Sequence, residues 1–235
     1  MAAYQRDARA AVESLLAAGR VPVLVGGSGL YVRAVLDELD FPGTDADIRA
    51  RLEAELAVVG AEELHARLVE LDPVAATAIL PSNGRRVVRA LEVIELTGRP
   101  FSATMPRPGP ARYDALQLGL DLDTDELDRR VDERVTRMFD GGLVDEVRTL
   151  EKQGLREGRT ASRALGYQQV LDQLDSGDGD GDGDGDGDLA AAAAATAQAT
   201  RRFVRRQRSW FRRDQRITWL DATRPDLVDA ALALA

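Results

Sequence analysis

The chain of 235 residues contains no cysteine. Disulfides, cysteine nucleophiles, iron–sulfur clusters and thiolate zinc sites are therefore excluded. It contains a single histidine, His65, so a Ser-His-Asp hydrolase would have to pair it with Ser28. His65 falls in the helical pattern "AEELHARLVEL" beside Glu63 and Arg67, which is the setting of a solvated surface residue. No apolar run is long enough to cross a bilayer, and no basic start leads into an apolar signal core. The expectation is a soluble cytoplasmic protein without a membrane partner.

A surplus of acid is also missing, despite a formal charge of −9. The run "DSGDGDGDGDGDGD", 175–188, holds seven Asp residues, and without them the balance is −2. The run is self-repelling and has no apolar residue, so it reads as a flexible loop. Calcium binding does not fit it: the aliphatic anchor of calcium-binding repeats and the closing glutamate of an EF-hand are both absent.

What is present begins with "VPVLVGGSGLYVRAVL", a short apolar run, a glycine turn and a helix. Glycines after a buried strand let backbone N–H groups converge on an anion. Yet Gly26, Gly27, Ser28 and Gly29 lead to Leu30 and Tyr31, not to the Lys-Ser/Thr of a phosphate-binding loop. The third glycine of a dinucleotide fingerprint and the last glycine of a nucleophile elbow are missing too. The turn binds something, or merely turns.

Residues 4–18 predict a helix with Ala8, Ala11, Val12, Leu15 and Leu16 on one face and Gly19 closing it. It feeds a predicted strand Val21–Val25, and two further strands are predicted at Ala115–Leu122 and Arg216–Asp221. The fold class is α/β, a parallel sheet of P-loop-like type with an all-helical insertion. Residues 1–43 and 113–235 form the core in this reading, and 44–112 the insertion, with Asp72 capping a helix that has Pro73 at its first position. After the second strand, Thr124 caps a helix that Gly141 and Gly142 break. One more helix runs from about Thr160 to Leu174, and the last ends near Arg213.

Two arginine groups stand out, and two further segments carry a single arginine of interest. "RRFVRRQRSWFRR", Arg201–Arg213, carries seven arginines in thirteen residues. As a helix it aligns Phe203, Val204, Gln207, Trp210 and Phe211 on a seam that can pack on a core. Arg201, Arg205, Arg208 and Arg212 form one stripe beside it, and Arg202, Arg206 and Arg213 lie on the other side. Such a run neutralises phosphates and stacks on bases, and acids to pair with it are nearly absent nearby in the sequence. "PSNGRRVVRALEVIEL" places Arg85, Arg86 and Arg89 in the first turns of a helix capped by Asn83 or Gly84. Cations there oppose the helix dipole, which an anionic ligand explains better than stability does. "TASRALGYQQVL" sets Arg163 before Gly166, whose place inside a predicted helix costs about 1 kcal/mol relative to Ala. Close approach of RNA or simple packing would each account for it. In "DERVTRMFDGGLVDEV", Arg134 sits on an amphipathic helix whose functional content the pattern alone does not show.

Together, "LVGGSGLYVRAVL", "NGRRVVRALEVIELTGRP", "ERVTRMFDGGLVDEV", "ASRALGYQQVL" and "TRRFVRRQRSWFRRD" followed by "ITWLD" resemble, in order and spacing, the bacterial tRNA dimethylallyltransferases. The resemblance covers nearly the whole chain. It implies transfer of a dimethylallyl group from dimethylallyl diphosphate to N6 of the adenosine 3′ of the anticodon, with Mg2+ as cofactor, the tRNA anticodon stem-loop as partner and a monomeric protein. It further implies that Gly26, Gly27 and Ser28 line the reaction channel and that Arg134 holds the diphosphate. Arg85, Arg86, Arg89, Arg163, Gly166, Tyr167, Gln168, Arg201, Arg205 and Arg208 are implied to contact tRNA. The family's P-loop and its Asp-Ser-x-Gln motif, which carries the general base, precede the matching region, and neither occurs in these 235 residues. The resemblance accordingly expects a transferase whose diphosphate cradle and general base are not among these residues, with a truncated, non-catalytic tRNA-binding remnant of that enzyme as the alternative.

Overall fold

Asp45, Gly60, Asp72 and Asn83 punctuate the first half of the chain into helices, each by a cap visible in the computed structural model. It describes residues 1–39, 41–103, 111–158, 160–177 and 188–235, in two units, Met1–Ala115 and Leu116–Ala235.

In the first unit, α1 (Ala2–Ala17) ends at Gly19, whose φ of +66° closes the turn. It runs beside α2 (Gly29–Leu36) and is fastened by polar groups: Gln5 donates to the carbonyls of Ala34 and Leu39 at 3.0 and 2.9 Å, and Arg9 to those of Val35 and Asp37 at 3.2 and 2.6 Å. The strand predicted at Val21–Val25 does not form. A strand exists through its ladder, and no described residue pairs with this one; Val21, Val23 and Val25 are more than 80% exposed.

Helices α3 (Ala46–Val59), α4 (Ala61–Leu71), α5 (Pro73–Ala78) and α6 (Gly84–Thr97) follow. Asp45 caps α3 by accepting from the N–H groups of Asp47 and Ile48. Asp72 caps α5 through Ala75 N at 3.0 Å, with Pro73 in the first position as the sequence predicts, and its second oxygen accepts from Ser102 N at 2.7 Å. Asn83 caps α6 through Arg86 N. Leu52, Leu64, Leu68, Ile79, Val87, Val88 and Leu91 form the core between these helices. Gly84 permits it: a Cβ there would stand 2.8 Å from a Leu56 methyl. His65 is not a solvated residue. Its Nε2 lies 3.1 and 2.9 Å from the carbonyl oxygens of Ala76 and Ile79, so it donates to carbonyls at the carboxyl end of α5.

The second unit contains the sheet. β1 (Gln117–Asp121) pairs in parallel with β2 (Ile217–Asp221), Gln117 opposite Ile217 and Asp121 opposite Asp221. Gly119 is needed because a Cβ would meet the Trp219 ring at 2.6 Å. The helices of this unit are α7 (Thr124–Asp140), α8 (Leu143–Glu151), α9 (Tyr167–Gly177), α10 (Leu189–Phe211) and α11 (Leu227–Leu232), of which α11 packs on β2 and α10 on α7 and α9. The cap of α7 is Asp123, one residue before the predicted Thr124: its carboxylate accepts from Asp125 N and Glu126 N. Gly142, at φ +93°, separates α7 from α8. The predicted helix Thr160–Leu174 is instead a 3-10 turn, Ala161–Arg163, followed by α9. Gly166 therefore precedes a helix, at φ +98°, where glycine is favoured for its backbone and carries no helix-interior penalty. The Gly-Asp residues 178–187 lie outside the described residues; Asp188 beyond them caps α10 through Ala191 N at 2.9 Å. Leu143, Val147, Leu155, Val170 and Leu171 make one core cluster, and Val131, Val135 and Ala197 another.

Candidate nucleic-acid interface

The glycine turn leads into α2. Ser28 is its N-cap by backbone, since its carbonyl accepts from Val32 N at 3.0 Å, but its side chain makes no capping bond and is exposed. A Cβ on Gly26 would meet nothing within 4 Å. Packing does not require glycine there, which leaves its value in what can approach the backbone.

The three arginines of α6 divide. Arg85 and Arg86 are exposed, and neither has an ion pair among the described residues. Arg89 turns inward and donates to the carbonyls of Pro42 at 2.7 Å and Gly43 at 3.0 Å, and to Glu92 at 2.8 Å. Glu92 is wholly buried, and also accepts from Arg49 and from Asp45 N at 3.1 Å. Burial alone would raise its pKa; the hydrogen bonds from Arg49 and Arg89 outweigh that and hold it below the usual carboxylate range. An acid between core residues of an amphipathic helix gives no warning in the sequence, because its partners lie elsewhere in the chain.

In the second unit, the acids that the arginine run lacks locally are supplied by the fold. Arg201 pairs with Asp132 and Arg205 with Asp128 at 2.7 Å, both on α7. Arg208 reaches Asp121 at 3.0 Å, Thr124 at 2.9 Å and the Leu122 carbonyl at 3.2 Å, while Arg212 reaches Asp121 at 2.6 Å. These partners stand 69 to 91 residues earlier in the chain, beyond any local reading of charge. Burial would raise the pKa of Asp121, but Arg212 and Arg208 keep it below its ordinary value. On α7, Arg129 and Arg130 share Glu126, and their hydrogen bonds, Arg129 first, bring its carboxyl down to about 2. Arg134 is different: it is exposed and has no ion pair among the described residues. Arg163 is likewise exposed and uncommitted in its 3-10 turn.

Gly166 is buried, its N–H donating to Gln169 Oε1 at 2.8 Å, with Leu143 and Met138 side chains 3.4 and 3.5 Å from where a Cβ would be. Tyr167 donates its hydroxyl to Glu146, which together with burial raises the phenol's pKa. Gln168 is exposed. Packing thus accounts for Gly166 and Tyr167, and leaves Arg163 and Gln168 available to a ligand. Gly26–Ser28, Arg85 and Arg86 belong to the first unit, Arg134 and Arg163 to the second.

A cavity of about 380 Å³ opens at the carboxyl ends of β1 and β2, lined by Asp121, Asp123, Trp219, Asp221 and Thr223 among others. Parallel sheets place ligands at that end of their strands. Its carboxylates are engaged, Asp121 with the two arginines and Asp221 with Thr223. Among the described residues, no group of three or more His, Asp or Glu side chains is arranged to hold a metal ion. These residues do not make a magnesium seat, and an acid-lined cavity does not suit a diphosphate.

The family model for IPP transferase matches residues 1–214. The chain belongs to the IPP transferase family. Among the relatives of this family, the tRNA dimethylallyltransferase of Saccharopolyspora erythraea is 69% identical over 225 residues, covering 95% of this chain and 69% of the relative. That of Thermobifida fusca is 62% identical over 234 residues, covering 100% and 70%. Of solved structures, the full-length tRNA isopentenylpyrophosphate transferase of Bacillus halodurans matches with a TM-score of 0.61 at 34% identity, covering 98% of this chain and 70% of that one. A eukaryotic dimethylallyltransferase acting on tRNA matches with a TM-score of 0.76 at 22% identity, covering 99% and 60%, and supports the fold. No helix of the described residues is long and apolar enough to cross a membrane.

Proposed function

We propose that this IPP transferase modifies tRNA, moving a dimethylallyl group from its diphosphate to N6 of the adenosine 3′ of the anticodon. The observation that carries the reading is 69% identity to a tRNA dimethylallyltransferase across 95% of the chain. In the reaction the C1–O bond of the dimethylallyl diphosphate breaks, a C1–N6 bond forms, the diphosphate departs with the electron pair, and N6 loses a proton. Charge grows on the departing diphosphate, so a guanidinium already free of internal partners can bind it without first breaking an ion pair. Among the described residues Arg134 has no ion pair, and it is assigned that role. Gly26, Gly27 and Ser28 are assigned to the channel wall, where no neighbour crowds Gly26.

Segment 44–112 is assigned to gripping the anticodon stem-loop through Arg85 and Arg86, with 1–43 and 113–235 as the transferase core, where Arg163 and Gln168 add contacts to tRNA. Magnesium belongs to this reading as an ion carried on the diphosphate oxygens. The protein would act in the cytoplasm as a monomer.

The test uses the protein isolated from its own cells, labelled dimethylallyl diphosphate, and two tRNAs that differ only in carrying adenosine or guanosine next to the anticodon. Label should enter the adenosine tRNA alone. Equal labelling of both, or of neither, would overturn the reading.

A further inference from the structure

The bundle of α3–α6 joins the chain before and after it near two short stretches, 37–39 beyond α2 and 111–113 on the return. Its core cluster includes no residue of α1 or α2. The two stretches meet at one junction: Asp37 and Ala111 form an antiparallel bridge, and Arg112 N donates to the Leu36 carbonyl at 2.7 Å. The Arg112 side chain then spans the junction with both ends of its guanidinium. One nitrogen donates to Glu13 of α1 at 2.9 Å, the other to Glu38 at 3.1 Å. The Tyr113 hydroxyl donates to the same Glu13 oxygen at 3.2 Å, and Arg112 lies 5.7 Å from the centre of the Tyr113 ring. These hydrogen bonds, that of Arg112 first, hold the Glu13 carboxyl below its ordinary range.

Stability alone is a weak account of this arrangement. Arg112 is 36% exposed and its acids 51% and 53%, and ion pairs so open to water add little to folding. Yet one side chain ties together three segments, reaching acids 99 and 74 residues earlier in the chain. What a guanidinium fork supplies is geometry, because its donors are fixed in one plane and two acids bound to it cannot shift independently. The bundle end of the outgoing stretch is held as well, by Arg89 on the carbonyls of Pro42 and Gly43. Any angle set at the junction is therefore passed to α6, whose first turn carries Arg85 and Arg86. We infer that Arg112 is a positioning residue for tRNA: it fixes the attitude in which the α3–α6 bundle presents Arg85 and Arg86 to the anticodon stem-loop, and touches no RNA itself. The inference rests on the tRNA reading. The competing role, a direct contact of Arg112 with phosphate, is disfavoured by Glu13 and Glu38, which already occupy its donors and would repel the anion.

The experiment follows labelled dimethylallyl transfer to tRNA by variants isolated from the protein's own cells. Arg112→Gln should raise the tRNA KM about 5-fold, the scale on which exposed ion pairs act, and leave the KM for dimethylallyl diphosphate unchanged. Glu13→Gln with Glu38→Gln, which keeps Arg112, should raise the tRNA KM by the same factor, and all three changes together should do no more. A direct RNA contact predicts the opposite for the acid pair, since removing two negative charges would tighten tRNA binding. A second readout is independent of activity. The chain has no cysteine, so Ala10→Cys on α1 and Val58→Cys on α3, both at exposed positions, can carry spin labels without background. Pulsed electron paramagnetic resonance should give one narrow distance distribution in the otherwise unaltered chain, and a broadened one with Arg112→Gln or with the acid pair. If the distribution stays narrow in either variant, or if the acid pair does not raise the tRNA KM, the inference fails and the tRNA reading stands. If the unaltered protein labels no tRNA, that reading fails and takes the inference with it.

Discussion

Replacing Glu92 by glutamine keeps the shape of the side chain and removes its charge. In the parent, that charge is wholly buried between Arg49 and Arg89 and accepts a third hydrogen bond from Asp45 N. Breaking a buried ion pair by removing one partner costs about 3–5 kcal/mol. The two arginine side chains retain 34% and 26% exposure and can turn partly to water, so the lower end, about 3 kcal/mol, is expected. For a unit of this size, that is a fall in melting temperature of about 12 °C. Thermal melting by circular dichroism at pH 7 measures it, and hydrogen exchange of α3 and α6 peptides places the loss in the first unit. The pH dependence gives a second reading. The folded pKa of Glu92 lies below its ordinary 4.5, so its stabilisation is complete above that value and disappears as pH falls through the folded pKa. The gap between parent and Glu92→Gln should therefore close in acid. A fall of less than about 3 °C at pH 7, or a gap that does not narrow below pH 4, would refute this assignment.

Asp121→Asn removes the charge shared by Arg208 and Arg212 and should cost about 2 kcal/mol at pH 7 by urea unfolding. Because its folded pKa is depressed, that cost should shrink as pH falls below its ordinary 3.8. Gly166→Ala forces a Cβ onto a backbone at φ +98° and should lose about 1–3 kcal/mol, read as a lower urea midpoint; an unchanged midpoint would contradict the backbone requirement. Arg134→Gln, assayed by label transfer to tRNA in the protein from its own cells, should lower kcat about 100- to 1,000-fold while melting stays unchanged, since no ion pair among the described residues is lost.

Features set by adjacent residues were legible in the sequence. Asp72 before Pro73, Asn83 before Gly84 and the Gly141–Gly142 break all act over a few positions, and each appears where the pattern puts it. The apolar runs of β1 and β2 were legible for the same reason, although their pairing joins residues 100 apart. Val21–Val25 shows the limit, because an apolar run specifies only a candidate strand and its ladder depends on a partner. Long-range charge was not legible. Arg89 and Arg205 look like free cations until the fold brings Pro42, Gly43 and Asp128 to them. Gly166 misled through its position: inside a helix it costs stability, and just before one it supplies the left-handed turn.

The account rests on tRNA prenyl transfer, and mass analysis of tRNA nucleosides from cells with the gene deleted tests it most directly. N6-dimethylallyladenosine and anything derived from it should vanish, and return when the gene is restored. Undiminished dimethylallyladenosine in the deleted strain would contradict the account.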